Sequence, residues 1–242
     1  MTTKALFARL ILTIAGRTRK TLLAGLILAA TGSAQAATLS EGFDNITTLA
    51  GSGWVMVNNS APVGQSWFQG NDGIFLAFSG APDSYIAANF LSASGDGSVS
   101  NWLLTPILTL NNGDTLSFRV RAAGEGFLDT LEVRLSTNGA SSNVGANPTS
   151  VGDFSTVVGS YASDTDDGWV AQSFMVSGLA VQSSGRLAFR YLVDDTTING
   201  NYLGIDSVNV TAAVPEPETY AMMLAGLGLL GLVARRRKQM TA

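Results

Sequence analysis

The sequence predicts an all-β protein: an antiparallel β-sandwich of the jelly-roll type, flanked by an N-terminal signal helix and a short C-terminal transmembrane helix. Three observations predict it. Between residues 37 and 213, short runs of alternating apolar and polar residues recur, small and polar turn residues separate them, and no helical period replaces them. The chain ends, in contrast, carry continuous apolar stretches beside basic residues.

The alternating runs predict strands with one buried face and one exposed face. In TLSFRVRA, which starts at Thr115, residues Leu116, Phe118 and Val120 face one way and polar residues the other. TLEVRLS and RLAFRYLV repeat the pattern. Further predicted strands are WVMVN, IFLAFS, SYIAANF, NWLLTP, GWVAQSFMV and YLGIDSVNVT. Two sheets must meet to cover the apolar faces, which favours a sandwich.

The last predicted strand changes phase in its middle. Leu203 and Ile205 share one face, whereas Val208 and Val210 have the opposite parity. A β-bulge at Asp206 and the following serine would return both pairs to the core and could turn Asp206 toward a ligand or ion. A strand that changes the sheet it faces fits the pattern equally well.

Composition excludes several kinds of chemistry. The chain has no cysteine and no histidine, so disulfides, thiolate catalysis, histidine relays and the usual zinc or haem ligands are absent. Residues 37–213 contain five arginines, no lysine and 16 acidic residues, a net charge of −11. Such a surface repels phosphate backbones, which argues against nucleic-acid partners and leaves oxygen ligands for a cation.

The N-terminal segment has the layout of a signal peptide. Basic residues precede an apolar run from Thr21 to Ala30, and small residues stand at Ala34 and Ala36. We expect signal peptidase to remove residues 1–36. An N-terminal membrane anchor is the alternative, but an apolar run of about ten residues is half of what a membrane-spanning helix needs.

The C-terminal segment combines a short apolar stretch with a basic end. Residues 220–234 are apolar or small and precede Arg235, Arg236, Arg237 and Lys238. A helix of this length rises about 22 Å, which is short of the roughly 30 Å hydrocarbon core of a bilayer. The basic cluster can reach the headgroups and keeps the extreme C-terminus in the cytoplasm.

The tail, residues 214–242, resembles the PEP-CTERM sorting signal of Gram-negative bacteria. Pro215, Glu216 and Pro217 form the motif, and a spacer, a Gly/Leu-rich helix and an arginine cluster follow in order. The resemblance implies transient residence in the inner membrane, recognition by an exosortase, cleavage near the motif, and delivery to a polysaccharide-rich surface. A permanent single-span anchor is the alternative.

The body resembles a second family. Three patches, EGFD, NWLLTPILTLNNGDTLSF and LAFRYLVDDTTINGNYLGIDSVNV, are together similar to the choice-of-anchor J or cleaved-adhesin domain, a jelly roll related to MAM domains. The resemblance spans nearly all of residues 39–211 and implies residues 37–213 as one domain.

The cleaved-adhesin resemblance also implies structural calcium. By position, the ligands would be Glu41 or Asp44 near the first strand and Asp206 on the last, with Asn89 or Asp83 as additions. Calcium takes six to eight oxygen ligands, which an acidic domain without lysine can supply. The alternative is that these carboxylates only keep the domain soluble.

Tryptophans and carboxylate pairs are the remaining candidates for a site. An exposed tryptophan could stack on a sugar ring; Trp102 is expected in the core, and for Trp67 a surface role is open. The doublets Asp166-Asp167 and Asp194-Asp195 suggest glycoside hydrolysis, but neighbouring strand residues point to opposite faces.

Together these features predict a secreted, non-catalytic surface or matrix protein that adheres to polysaccharide or to a surface protein in a biofilm. A glycan-active enzyme and a structural matrix component without a specific ligand are the alternatives.

Overall fold

The computed structural model describes residues 37–213 and 221–231. Residues 37–213 form thirteen strands and two short 3-10 helices, Ile46–Thr48 and Phe90–Ser92. The strands are β1 (Ala37–Glu41), β2 (Val55–Asn58), β3 (Ala61–Val63), β4 (Phe68–Gln69), β5 (Ile86–Asn89), β6 (Ala93–Leu104), β7 (Leu108–Leu110), β8 (Thr115–Ala122), β9 (Asp129–Ser136), β10 (Thr156–Ser163), β11 (Val170–Met175), β12 (Ser183–Val193) and β13 (Tyr202–Thr211).

The strands form two antiparallel sheets, which confirms the predicted sandwich. Sheet A has the order β11-β8-β13-β5-β4, and β1 also pairs with β13. Sheet B has the order β10-β9-β12-β6-β2, with β3 paired to β6 and β7 paired to β12. The central strands of the two sheets are therefore β13 and β12.

The inner faces of the sheets share the main hydrophobic core. The alternating residues that the sequence assigned to the buried face of β8, Leu116, Phe118 and Val120, all belong to it. Phe118 of sheet A meets Phe189 of sheet B in an edge-to-face contact, with ring centroids 5.0 Å apart. This contact joins the two central regions of the sandwich.

Each sheet also carries a smaller cluster on its outer face, under a long loop. On sheet B, the β9–β10 loop lays Phe154 against Trp102. On sheet A, the β4–β5 loop lays Phe75 against Tyr85 and Tyr202. The long loops are thus parts of the packed structure rather than loose connections.

The predicted bulge in β13 is confirmed. The pairing of β13 with β8 shifts register between Asp206 and Asn209, and Ser207 has a positive φ of 52°. The shift lets Ile205 and Val208 both face the core, where both are fully buried. Asp206 consequently points to the outer face of sheet A.

One predicted strand is wrong. The segment IFLAFS, from Ile74, is an irregular part of the β4–β5 loop. Its alternation is real, because Phe75 is buried whereas Leu76 and Phe78 are exposed. Its backbone groups, however, bond to side chains as well as to the loop itself: the Leu76 carbonyl accepts the Trp169 indole N–H, and the Phe78 amide donates to Asp206.

The predicted features of the two ends fall largely outside the described residues. These are the signal helix with Ala34 and Ala36, the motif Pro215-Glu216-Pro217, and the basic cluster Arg235 to Lys238. Residues 221–231, inside the predicted helix 220–234, are helical and exposed. Within the ranges that the structure describes, no helix has the length and apolar character of a membrane span.

Replacing Phe189 by alanine tests the junction between the sheets. Removing a fully buried phenylalanine leaves a cavity, so we expect a loss of about 3–5 kcal/mol in the free energy of unfolding. Urea titration followed by tryptophan fluorescence measures it. Phe127→Ala, the same change at a 43% exposed residue, should stay within about 0.5 kcal/mol of the parent. Equal losses in both variants would contradict the assigned core.

Candidate functional site

The acidic residues predicted to bind calcium lie on β1, on β13 and in the segment that follows β1. Glu41 ends β1 opposite Val208 of β13, and its Oε1 accepts the Phe43 amide at 2.8 Å. Asp44 is exposed, and its Oδ1 lies against the backbone of Gly80 in the β4–β5 loop. The first strand and this loop therefore approach each other beside the bulge of β13.

Asp206 fixes the β4–β5 loop to sheet A. The side chain is fully buried, and its Oδ2 accepts the amides of Phe78 at 2.9 Å and Ser79 at 3.0 Å. Its Oδ1 accepts the hydroxyl of Ser207 at 3.1 Å. Burial raises the pKa of the Asp206 carboxyl, and these hydrogen bonds oppose the rise. The arrangement is that of a carboxylate that holds a loop by its main chain.

The calcium candidates are only partly brought together. Asp206 and Asp44 both lie against the loop at residues 78–80. Glu41, in contrast, is paired with the core residue Val208, and among the described residues its carboxylate accepts only the Phe43 amide. Asn89 is four positions along β5 from the residue beside Asp206, roughly 13 Å away, and its Oδ1 caps a 3-10 helix by accepting the Leu91 amide. Within residues 37–213 and 221–231, no three acidic side chains form a group that could hold a metal ion as they stand. Calcium binding at these residues therefore stays a prediction.

A second feature is a groove on the outer face of sheet B. It consists of two cavities of about 210 and 70 Å3, which share Leu192, Val193 and Asp194 at the end of β12. Pro148 of the β9–β10 loop lines one side, and Asn199 of the β12–β13 loop lines the other. We call this feature the groove.

The floor of the groove comes from outward-facing residues of β9 and β12. Arg190 and Leu192 alternate with the core residues of β12, and Thr130 of β9 pairs in register with Leu192. The Asp194 carboxylate accepts no hydrogen bond and forms no ion pair within the described part of the chain; only its backbone carbonyl is engaged, by the Ser98 hydroxyl at 2.8 Å. It is exposed at the rim.

Arg190 is the buried charge beneath the groove. The side chain is 4% exposed and its guanidinium lies 5.0 Å from the Trp102 ring centroid. Its Nε donates to Ser100 Oγ at 3.0 Å, its Nη1 to Glu132 at 2.9 Å, and its Nη2 to the Pro148 carbonyl. Arg190 therefore holds the β9–β10 loop on sheet B.

Glu132 balances the charge of two arginines. Its Oε2 accepts from Arg134 Nε at 2.8 Å and from Arg190 Nη1 at 2.9 Å. Burial pushes the pKa of Glu132 up, but the hydrogen bonds and charges of the two arginines outweigh burial and the pKa is lowered. Arg134 in turn donates to the Phe154 carbonyl at 3.2 Å, so the same network supports the loop a second time.

A buried carboxyl secures the opposite wall. Asp129 Oδ1 accepts the Tyr191 hydroxyl at 2.5 Å and the Asn201 amide at 2.9 Å. The Gly200 amide donates to the Leu128 carbonyl at 3.0 Å. Burial raises the pKa of Asp129, although these hydrogen bonds oppose it. The β12–β13 loop is thereby tied to the start of β9.

Three of the four tryptophans are buried and do not offer a sugar-stacking surface. Trp54 and Trp67 are 3% and 4% exposed, and Trp102 is fully buried, which confirms the core assignment of Trp102. A surface role for Trp67 is wrong. Trp169 is half-buried, with its indole N–H bonded to the Leu76 carbonyl at 2.9 Å.

Most members of the two carboxylate doublets are already engaged. Asp166 forms a two-point ion pair with Arg121, at 2.7 and 2.8 Å. Asp167 accepts the Thr165 hydroxyl, and Asp195 accepts the amide and hydroxyl of Thr197. Asp194 is the one carboxylate that lines the groove.

The groove was not predicted from the sequence. The run RYLVD places Arg190, Leu192 and Asp194 on one outward face, and that alternation is the available local signal. One wall contains Pro148, which lies more than 40 residues from Arg190 in the sequence. No pattern within β12 shows which loops cross that strand.

Comparison with known proteins identifies the class of the tail and the body. Residues 213–238 match the family model of the PEP-CTERM protein-sorting motif. The match begins just after β13 ends at Thr211. The chain therefore is an exported protein with a sorting motif at the C-terminal side of its sandwich. No curated protein matches the chain.

Solved structures give the particular type of sandwich. The K1 cleaved adhesin domain of Lys-gingipain from Porphyromonas gingivalis W83 aligns with a TM-score of 0.53 and 19% identity, covering 73% of this chain and 98% of that domain. The K3 domain of the same protein aligns with a TM-score of 0.53 and 18% identity, covering 74% of this chain and 100% of that domain. The body thus has the fold of the cleaved adhesin domains.

Replacing Glu132 by glutamine tests the charge network under the groove. Because the folded-state pKa of Glu132 is lowered, its contribution to stability is present above pH 4.5 and is lost as pH falls through the folded-state value. We expect Glu132→Gln to cost roughly 1.5–3 kcal/mol at pH 7, the range for hydrogen bonds to charged groups. Urea unfolding between pH 7 and pH 3 should show this difference closing on acidification.

Asp129→Asn is the control for which we expect the change in stability to have the opposite sign. Its raised pKa means that the ionised form costs stability at pH 7, and asparagine keeps an acceptor for Tyr191 and Asn201. This variant should be at least as stable as the parent at pH 7, with the gap closing toward pH 3.8. A network without electrostatic coupling would give pH-independent differences for both variants.

Proposed function

We propose that the protein is a secreted, exosortase-processed component of the cell surface or extracellular matrix, and that its sandwich is a non-catalytic module that binds polysaccharide or a surface protein in a biofilm. Signal peptidase removes the N-terminal segment. The body passes the inner membrane, is held there by its tail until processing, and reaches the surface or the medium.

The position of the sorting motif carries the proposal. The last strand ends at Thr211, and the motif begins at residue 213. Every strand of the sandwich therefore precedes the tail, so cleavage near Pro215-Glu216-Pro217 frees the body without removing any strand. The cleaved-adhesin fold supports a role in adhesion.

The engagement of the charged residues supports a binding role over catalysis. Two-carboxylate glycoside hydrolysis needs an acid and a base across one bond, and the groove is lined by one carboxylate, Asp194. The absence of histidine and cysteine from the sequence removes the usual nucleophile relays. A glycan-active enzyme remains the alternative, and release of reducing sugar from matrix polysaccharide would favour it.

The surface charge supports a non-nucleic-acid partner. The five arginines of the body are all occupied: Arg119 lies over Phe78, Arg121 pairs with Asp166, Arg134 and Arg190 pair with Glu132, and Arg186 donates to backbone carbonyls. Acidic groups therefore dominate the accessible charge, which repels phosphate chains. A purely structural matrix protein is the third candidate, and failure to bind any matrix component would favour it.

Changing Pro215, Glu216 and Pro217 together to alanine tests the sorting step. We expect the uncleaved product to accumulate in the membrane fraction and the surface or secreted form to be lost, because the processing enzyme no longer recognises the tail. Immunoblotting of cell fractions with an antibody to the body measures it.

Glu218→Ala is the matched control, since it changes an acid of the same tail outside the tripeptide. It should be processed like the parent. Normal release of the triple variant would contradict exosortase processing at this motif.

Calcium binding by Glu41, Asp44 and Asp206 stays a prediction, and Asp206→Asn tests it. Asparagine keeps an acceptor for the amides of Phe78 and Ser79 but removes the charge that attracts a cation. If calcium binds, a concentration 100 times the Kd should stabilise the parent by about 2.7 kcal/mol and the variant much less. Thermal unfolding in calcium and in EGTA measures the difference.

Asp72→Asn, an exposed acid of the same loop, is the charge-matched control and should keep the calcium response. A parent protein whose melting temperature is the same in millimolar calcium and in EGTA would eliminate the calcium hypothesis.

A further inference from the structure

We propose that the groove on sheet B binds a neutral sugar ring of an extracellular polysaccharide, held between the buried guanidinium of Arg190 and the open carboxylate of Asp194. This inference rests on the proposed binding function and assigns it a place and a ligand class.

Arg190 lines the larger cavity and has unused hydrogen-bond donors. A guanidinium carries five N–H groups. Three of them are used, by Ser100, Glu132 and the Pro148 carbonyl. One N–H on each terminal nitrogen is left for a ligand, on a side chain that is 4% exposed and held in place on three sides. A donor fixed in this way loses little freedom when a ligand binds.

The other end of the groove supplies acceptors and a mixed polar edge. Asp194 lines both cavities, and its carboxylate can accept two hydroxyl groups. Asn199 uses its Oδ1 to accept the Leu128 amide at 3.3 Å, which leaves its Nδ2 group for a ligand. Thr130, which pairs in register with Leu192, adds a hydroxyl to the floor. The lining thus contains both donors and acceptors, as the hydroxyl groups of a sugar require.

The two charges together select a neutral ligand. An anion, such as a uronic acid or a phosphate, meets the Asp194 carboxylate and a body with net charge −11. A cation meets the guanidinium of Arg190. A hydroxyl group has no such conflict, because it donates to the carboxylate and accepts from the guanidinium.

Apolar surface completes the match to a sugar ring. Leu192 forms the floor that the two cavities share, and Leu128, which lines one of them, is 40% exposed. Such apolar surface can cover the C–H face of a pyranose while the polar groups hold its hydroxyls.

The size of the groove fits one ring rather than a large ligand. Its cavities, about 210 and 70 Å3, are below the roughly 300–1,000 Å3 of pockets that enclose drug-sized molecules. Neither cavity is enclosed, so a chain can continue beyond the bound ring. We therefore expect recognition of one unit within a polymer.

Affinity gel electrophoresis of the exported protein, purified from cells that express the full chain, tests the proposal. The gels contain dextran, galactomannan, xylan, alginate, or deproteinised polysaccharide from the producing bacterium's own matrix. We expect retardation by at least one neutral polymer or by the matrix polysaccharide. Asp194→Asn should raise the Kd about tenfold, because it removes a charged acceptor, and Thr130→Val should raise it less.

Asp72→Asn is the matched control, because it makes the same change of charge on an exposed acid of the loop over sheet A. It should bind like the parent. The melting temperature of each variant shows that it is folded, and Asp194 has no hydrogen-bond partner for its carboxylate among residues 37–213 to lose.

The outcomes separate this proposal from the proposed function. If the parent and Asp194→Asn are retarded equally, the groove is not the site, but the binding function stands. If alginate is the only polymer that retards the protein, the proposal of a neutral ligand is wrong. Binding to matrix proteins without any retardation by polysaccharide overturns the groove and keeps adhesion. If neither polysaccharide nor matrix protein binds, both proposals fall.

Discussion

The structure depends on one buried charged residue at the centre of each sheet that holds a long loop by its main chain. On sheet A, Asp206 accepts the amides of Phe78 and Ser79. On sheet B, Arg190 donates to the Pro148 carbonyl. Backbone groups left without partners under a packed loop are costly, so these contacts decide where the loops can lie. The position of the β4–β5 loop on sheet A and the groove of sheet B both depend on this arrangement.

The two charges differ in how they are balanced. Arg190 forms an ion pair with Glu132, whereas none of the ion pairs in the described residues includes Asp206. A buried charge without a counter-charge carries a desolvation cost, which is why burial raises the pKa of Asp206. An added cation would relieve that cost on sheet A and has no such role on sheet B. The calcium prediction therefore concerns Asp206 on sheet A, and the sugar-binding proposal concerns Arg190 on sheet B.

The sequence predicts features that depend on the alternation of apolar and polar residues within one strand. It predicts little of the features that depend on loops distant in the sequence. The faces of β8 and the bulge at Asp206 follow from the order of apolar residues within single strands. The segment from Ile74 misleads because its alternation reflects packing under Trp169 rather than pairing with a strand. The strand β10 was missed because TVVGSYAS combines an exposed valine, a partly buried valine and a glycine and shows no clear period. The groove needs Pro148 beside Arg190, a contact that no local pattern contains.

The direction of β13 decides how the groove stands relative to the attached tail. The strand begins at Tyr202, next to the β12–β13 loop that walls the groove, and ends at Thr211, just before the sorting motif. Its ten residues span about 30 Å at roughly 3.3 Å per residue. The groove therefore lies at the end of the sandwich opposite to the one from which the tail leaves. A body held at a membrane or matrix by its C-terminal end would present the groove outward, toward the polymer that we propose it binds.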